Sequence, residues 1–325
     1  MIITKTPFRM SFFGGGTDME SYFRENGGAV LSATFDKYCY VQVRQLPHFF
    51  DYSSELIYSR IERVNSIDNI EHPLIRNAMK MLDMKDLRVT YDADLPARSG
   101  LGTSSSFAVG MLSAFYALKG QYVDKQRLAD DAIYLERVLC NEAGGWQDQI
   151  AASFGGLNRI DFNEHGYTVH PVIISRERKK SLNDHLLMYF TGFTRLSSAI
   201  QKDNAAESPA NKHALLKEMH QLVDEAQTVL TSGDLDDFGR LLDHTWHLKR
   251  QTGPRISTSS IDEMYERGIK AGALGGKLLG AGHGGFLIFY VQPENREAVR
   301  DAMSDLLEIP FEFEENGSQI LYYRS

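Results

Sequence analysis

The chain has 325 residues, more than one ordinary hydrophobic core accommodates, so two packed domains are expected. A net charge of −8 and an isoelectric point near 5.7 leave no dominant basic stripe. Nucleic acid is therefore not an expected partner, and an anionic ligand needs donors gathered locally. Cys39 and Cys140 form neither a CxxC pair nor a metal-ligand cluster, the first residues lack a signal-peptide layout, and the longest apolar runs are strand-sized. Reduced thiols, no membrane partner and a cytoplasmic protein are the expectation.

In chain order, Ala29–Ala33, Cys39–Val43 and Leu87–Tyr91 read as strands. Phe107, Met111, Leu112 and Phe115 recur at helical spacing in a helix ending near Gly120. Asp124 is placed to cap the next helix, on which Leu128, Ala132, Leu135 and Leu139 make a narrow apolar stripe. Glu136 lies roughly 80° from the centre of that stripe, where it suits a cleft and a solvated surface equally. Leu215–Leu230 reads as a long amphipathic helix closed by Gly233, and Phe238–Leu248 as another. Ser260-Ile-Asp-Glu263 reads as a capping box. A strand at Phe286–Val291 follows, and Pro293 precedes a last helix carrying Ala298, Val299, Ala302 and Met303. The mixture predicts an α+β protein with domains at 1–175 and 176–325, divided at the charged, loop-like segment Ile174–Lys180.

Three glycine-rich segments carry the chemistry. Ser99-Gly-Leu-Gly-Thr-Ser-Ser-Ser106 sits between a strand and an apolar helix. Glycines let backbone amides approach a ligand, and a helix start offers unpaired N–H groups, so this is a phosphate site rather than a plain capped turn. No lysine completes a Walker loop here or at Gly276-Lys-Leu278. Gly280-Ala-Gly-His-Gly-Gly285 matches G-x-G-x-x-G but leads into a strand instead of opening a helix, which argues against a dinucleotide fingerprint. Close backbone packing on the first loop suits it better. In Phe12-Phe-Gly-Gly-Gly-Thr-Asp18, Gly16, Thr17 and Asp18 are a candidate hydroxyl-binding group, together with Gly145.

The candidate catalytic carboxylates are Asp148, in Gly144-Gly-Trp-Gln-Asp148, and Glu136. A kinase acting on an alcohol must hold Mg²⁺, neutralise developing charge and remove a proton. Glu136, Arg9 and Asp148 supply those groups in kind. His244 and His247 resemble half a metal site without a third ligand and read as structural; His283 neighbours the glycine loop.

Taken together, Pro7–Asp18, Pro96–Ser106 and Gly275–Phe286 resemble, in order, the three motifs of the galactokinase, homoserine kinase, mevalonate kinase and phosphomevalonate kinase (GHMP) family. The resemblance runs from Pro7 to about Tyr290. It implies an N-terminal domain like ribosomal protein S5 domain 2 and a ferredoxin-like C-terminal domain. It implies ATP bound by Ser99, Gly100, Leu101, Gly102, Thr103, Ser104, Ser105 and Ser106, Mg²⁺ held by Ser104 and Glu136, Asp148 as base with Arg9 beside it, and Asp18 on a sugar hydroxyl. Galactokinase has Gly-Glu-His-Thr-Asp where this chain has Gly-Gly-Gly-Thr-Asp. That form is most similar to the bacterial D-glycero-D-manno-heptose 7-phosphate kinases, which implies transfer to the C1 hydroxyl of a sugar phosphate on the way to GDP-heptose and surface polysaccharide. Fucokinase- or galactokinase-like kinases of the same family are the alternative. A non-catalytic sugar and ATP sensor fits poorly with Asp148, Glu136 and Arg9 all present. Lys5, Arg98, Arg195 and Lys202 are the candidates for the sugar's own phosphate, and association as a homodimer is left open.

Overall fold

The computed structural model describes residues 1–192, 209–253, 256–280, 282 and 284–324. The first half runs β1 (Ile2–Phe13), α1 (Glu20–Asn26), β2 (Gly28–Gln45), β3 (Ser54–Ile57), β4 (Ile61–Val64), α2 (Pro73–Met81), β5 (Leu87–Ala93) and α3 (Thr103–Leu118). It continues with α4 (Lys125–Ile133), which passes into a π-helical turn at Tyr134–Leu139, then α5 (Gln147–Phe154), β6 (Leu157–Asn163), β7 (Gly166–Pro171) and α6 (Arg176–Asp184). The second half holds β8 (Leu186–Phe190), α7 (Pro209–Ser232), α8 (Leu235–Gln251), α9 (Ser259–Lys270), β9 (Ala273–Leu278), β10 (Phe286–Val291), α10 (Arg296–Ala302), β11 (Leu307–Glu308), β12 (Phe313–Glu314) and β13 (Gln319–Tyr323). Among the described residues no helix is long and apolar enough to cross a membrane.

The runs at 29–33 and 39–43 are two halves of one strand, β2, and the sheet is built around it. Along one edge β1 pairs antiparallel with nearly its whole length. On the other edge Gly28–Ala33 pairs with β6, while Cys39–Gln45 pairs with β5. The strand thus forks the sheet, whose main order is β13-β1-β2-β5-β3-β4. Helix α3 packs on it almost entirely buried, as its unbroken apolar run requires. The second sheet is antiparallel, ordered β11-β8-β10-β9, with α8 and α9 on β9.

The two sheets share one apolar core. Phe12 and Phe13, near the end of β1, meet the edge of Phe238 on α8 at ring separations of 5.3 and 5.1 Å. The sheets do not follow the division at 175/176 throughout, because β12 and β13 come back to pair with β2 and β1. The charged segment expected as a loop at 174–180 contains the start of α6. Ser175 caps it by accepting a hydrogen bond from Arg178 N at 3.1 Å, and Leu182 is buried, which outweighs the charged composition. The cap of α9 is Thr258, accepting from Ile261 N at 3.3 Å, two residues before the serine expected from the sequence.

Phe238 is fully buried between the halves, so Phe238→Ala should cost about 3–5 kcal/mol. Urea denaturation should show the midpoint falling with the slope unchanged.

Candidate active site

The second and third glycine segments pack backbone on backbone. A Cβ at Gly100 would lie 2.3 Å from the Leu279 carbonyl oxygen, and one at Gly285 would lie 1.9 Å from that of Ser99. Both positions also have left-handed backbone, at φ of +87° and +123°, so a side chain is excluded twice over. Leu279, Gly280 and Gly285 therefore brace loop 99–106, which is close backbone packing rather than a dinucleotide turn.

The loop ends at Gly102, which precedes α3 in a left-handed conformation and makes no side-chain cap. The first N–H groups of this long helix, and its positive end, are left for an anion. The hydroxyls of the loop divide their work. Ser104 is exposed. Ser106 Oγ donates to the Pro7 carbonyl at 2.8 Å, and Thr103 Oγ1 accepts from Arg98 N at 3.2 Å. Leu101 is buried, with its carbonyl accepting from Arg9 N at 3.1 Å, and the Ser99 side chain is buried as well. The Thr103 and Ser106 hydroxyls and the Leu101 carbonyl thus hold the shape of the loop expected to bind ATP.

Arg9 and Asp148 meet beside Gly102. Arg9 is almost fully buried; its Nε donates to Asp148 Oδ1 at 2.7 Å, its Nη2 lies 2.7 Å from the same oxygen as an ion pair, and its Nη1 donates to the Gly100 carbonyl at 2.7 Å. A Cβ at Gly102 would lie 3.5 Å from Asp148 Cγ. The guanidinium fork therefore fixes the aspartate against the start of α3. The Asp148 side chain is still 25% exposed, as a residue that must reach a substrate requires.

Glu136 is 1% exposed, which resolves its position in favour of the interior. The cause is the π-helical turn at 134–139. Its wider winding advances each residue by less than the 100° of an α-helix, which swings Glu136 inward and leaves Leu139 outside the stripe expected to bury it. Ser105 Oγ donates to Glu136 Oε2 at 2.6 Å, and Gln149 Nε2 also donates to that oxygen. The serine bonded to the glutamate is thus Ser105, the neighbour of the residue expected there. Burial pushes the Glu136 pKa up, opposed by the Ser105 hydrogen bond, the charge of Arg137 and the Gln149 amide.

Asp18 is also buried. Its Oδ1 accepts from Gly16 N at 2.9 Å and its Oδ2 from Gln147 N at 3.3 Å. Gly145 must be glycine, since a Cβ there would fall 1.8 Å from Asp18 Oδ2. Burial raises the Asp18 pKa; the Gly16 N–H pulls it down and the Asp148 charge pushes it up. Thr17 does not join this group. It is fully buried, with Oγ1 donating to the Gly14 and Ala29 carbonyls at 2.8 Å and accepting from Ala29 N, so it ties the turn to β2.

Two lysines have no role in the sequence reading. Lys277 is buried on β9 and donates to the Phe12 carbonyl at 2.6 Å. Burial, with Lys249 and Arg9 nearby, pushes its pKa well below the usual lysine value. Lys249, near the end of α8, donates to the Gly280 carbonyl. Lys277 lies within the motif Gly275–Phe286 and Lys249 outside all three motifs, and only the folded contact between β1, α8 and β9 brings them to Arg9. Of the cations considered for a sugar phosphate, Lys5 sits over the Tyr38 ring with Glu314 3.9 Å away, and Arg98 is exposed. Arg195, Lys202 and His283 lie outside the described residues. His244 pairs with Glu218 and His247 bonds the Asp243 carbonyl, both away from this cleft, in keeping with structural roles.

Phosphoryl transfer to an alcohol is the chemistry such a cleft serves. Residues 72–156 match the N-terminal domain of the GHMP kinases and residues 216–309 the C-terminal one, together more than half of the chain. The chain belongs to the GHMP kinase family and is an ATP-dependent phosphotransferase with an alcohol group as acceptor. It is 29% identical over 311 residues to the D-glycero-alpha-D-manno-heptose 7-phosphate kinase of Campylobacter jejuni, covering 91% of each. It is 26% identical to the L-fucokinase/L-fucose-1-P guanylyltransferase of Bacteroides fragilis, over 91% of this chain and 35% of that longer protein. The crystal structure of a D-glycero-D-manno-heptose 1-phosphate kinase from Bacteroides thetaiotaomicron superposes with a TM-score of 0.81 at 26% identity, covering all of both chains. The fold is thus the two-domain GHMP kinase fold.

Asp18 and Glu136 each hold a proton more tightly in the folded chain than in the unfolded one. Stability is therefore lost as pH rises above their ordinary values of 3.8 and 4.5. Glu136→Gln should raise the urea midpoint at neutral pH, with the gain vanishing as pH falls below about 4.5. The same variant should lose roughly 100-fold or more in turnover.

Proposed function

We propose that the chain transfers the γ-phosphate of ATP to the C1 hydroxyl of D-glycero-D-manno-heptose 7-phosphate, giving the 1,7-bisphosphate. The observation that carries the reading is the Arg9–Asp148 pair set against the uncapped start of α3. Phosphates lie along residues 99–105, where N–H groups and the helix dipole favour their charge. Asp148 accepts the hydroxyl proton as the C1 oxygen bonds to phosphorus and the bond to ADP breaks. Arg9 holds that carboxylate in place and, with the helix start, balances charge that develops on the transferring group.

A divalent cation fits the remaining acid. Among the described residues no three His, Cys, Asp or Glu side chains cluster as a metal cage. Mg²⁺ needs only one or two carboxylates when phosphates and water complete its shell. Glu136, buried at a cost to its own charge, would hold it, with Ser104 as the exposed hydroxyl of the loop. When bound, the ion would neutralise phosphate charge.

The sugar is read from the hydroxyl-binding group at Asp18, Gly16 and Gly145 and from the relatives. Both the Campylobacter and the Bacteroides thetaiotaomicron proteins are kinases of a heptose phosphate. The reading places the chain in the cytoplasm, where ATP and sugar phosphates are.

Asp148→Asn should cost about 10²–10⁴ in kcat while nucleotide affinity stays within about twofold. Coupled ADP release across a substrate panel tests the sugar. Heptose 7-phosphate should be turned over far faster than heptose 1-phosphate, fucose or galactose. Strong turnover of any of those three, with none of heptose 7-phosphate, overturns the substrate.

A further inference from the structure

Ser11 on β1, Gln147 at the start of α5 and Lys249 near the end of α8 converge on a single point. A Cβ added to Gly15 would lie 3.5 Å from Ser11 Oγ, 3.8 Å from Gln147 Nε2 and 4.0 Å from Lys249 Nζ. Those are ordinary contact distances, and Gly15 does not adopt the left-handed backbone of its neighbours Gly14 and Gly16. Neither strain nor a clash accounts for a glycine here. What its missing side chain leaves is room for a group the size of a methyl, bounded by three polar atoms.

That boundary is unfinished. Ser11 and Gln147 are both more than nine-tenths buried, and Ser11 Oγ and Gln147 Oε1 have no hydrogen-bond partner among the described residues. Buried polar atoms are nearly always paired in a folded protein, so the open Ser11 hydroxyl is free to donate to a ligand, while the Gln147 amide N–H₂ faces the same point and its open Oε1 can only accept. Lys249 sets the ligand's sign. Its bond to the Gly280 carbonyl anchors the ammonium to the brace beneath the phosphate loop, and it lies close enough to influence buried Lys277. A hydroxyl, an amide N–H₂ and an ammonium are a donor set for an oxyanion. Asp18 stands on the other side, since Gln147 N donates to it at 3.3 Å, so the hydroxyl-binding and oxyanion-binding sides adjoin.

We propose that Ser11, Gln147 and Lys249 form a pocket over Gly15 that binds a phosphoryl group of a substrate. The sugar phosphate inferred above and the terminal phosphate of ATP are the two sources of that chemistry. The first rests on the proposed substrate; the second does not. Lys249 is in either case a specificity-determining contact that the three sequence motifs do not contain.

Gly15→Ala, Ser11→Ala, Lys249→Met and Lys249→Arg test this in the intact enzyme. Gly15→Ala is the cleanest, because the methyl fits the folded chain and competes only with what enters the pocket. If the pocket takes the sugar's phosphate, the KM for heptose 7-phosphate should rise at least tenfold in the first three variants, with the KM for the unphosphorylated heptose unmoved. If it takes the terminal phosphate of ATP, affinity for a non-hydrolysable ATP analogue should fall tenfold with ADP affinity unmoved. Lys249→Arg should recover part of either loss, because it keeps the charge. Urea midpoints should stay at the parent value for Gly15→Ala and Ser11→Ala. Unchanged affinities for both ligands in Gly15→Ala and Ser11→Ala overturn the pocket. If heptose 7-phosphate proves not to be a substrate, the ATP-against-ADP comparison still decides, so failure of the substrate reading and failure of the pocket are told apart.

Discussion

The rest of this active site depends on one approach of backbone to backbone, where Gly100 and Ser99 lie against Leu279, Gly280 and Gly285. The contact joins two segments nearly two hundred residues apart and belonging to different sheets. It tolerates no side chain on either face, so it is set by sterics and cannot be bought by a better residue. Because the loop at 99–106 is braced from beneath, the start of α3 is held still, and a fixed row of N–H groups is worth more to a phosphate than a mobile one. Arg9 fastens to the same brace through the Gly100 and Leu101 carbonyls, and Asp148 fastens to Arg9.

Around this brace the charges are placed with unequal burial. Asp148 is paired and partly open. Glu136 and Asp18 are buried, with pKa values pushed up, and Lys277 is buried with its pKa pushed down. The unliganded cleft therefore holds acids and a base whose charged forms are all disfavoured. Such an arrangement costs the empty fold stability, and a ligand of opposite charge beside any of these groups would offset that cost. Stability given up in the empty state becomes binding selectivity in the filled one.

The parts of this fold legible in sequence were those that local chemistry decides. The apolar spacing of α3, the cap at Asp124 and the strand at 286–291 follow from residue type and period. The glycine segments were legible as backbone devices, and the brace between 280–285 and 99–106 follows from which side the strand lies. What escaped depended on winding or on distance. Glu136 sat on a border that α-helical arithmetic left undecided, and a π-helical turn moved it inside. Ser105 and Thr17 were read as ligand contacts because a hydroxyl in a glycine loop looks the same whether it faces a phosphate or a carbonyl; only the folded neighbours distinguish them. Lys249 carried no local signal, and Lys277 was weighed only as a Walker lysine and set aside. Their meaning comes from α8 and β9 crossing beneath β1.

That pattern bears on how such a cleft changes substrate. The brace and the helix start are fixed by backbone packing, and Arg9 is tied to both Asp148 and the Gly100 carbonyl, so altering any of them disturbs the others. Gly15, Ser11, Gln147 and Lys249 stand apart from those contacts. They line a space whose shape is set by the absence of a side chain at one position. An added methyl there fits without disturbing the backbone, whereas one at Gly100 or Gly145 does not. Chemistry and recognition are therefore separable in this fold for a geometric reason: the phosphate loop is walled by contacts under 2.5 Å that admit no side chain, and the space over Gly15 by contacts of 3.5–4.0 Å that admit one.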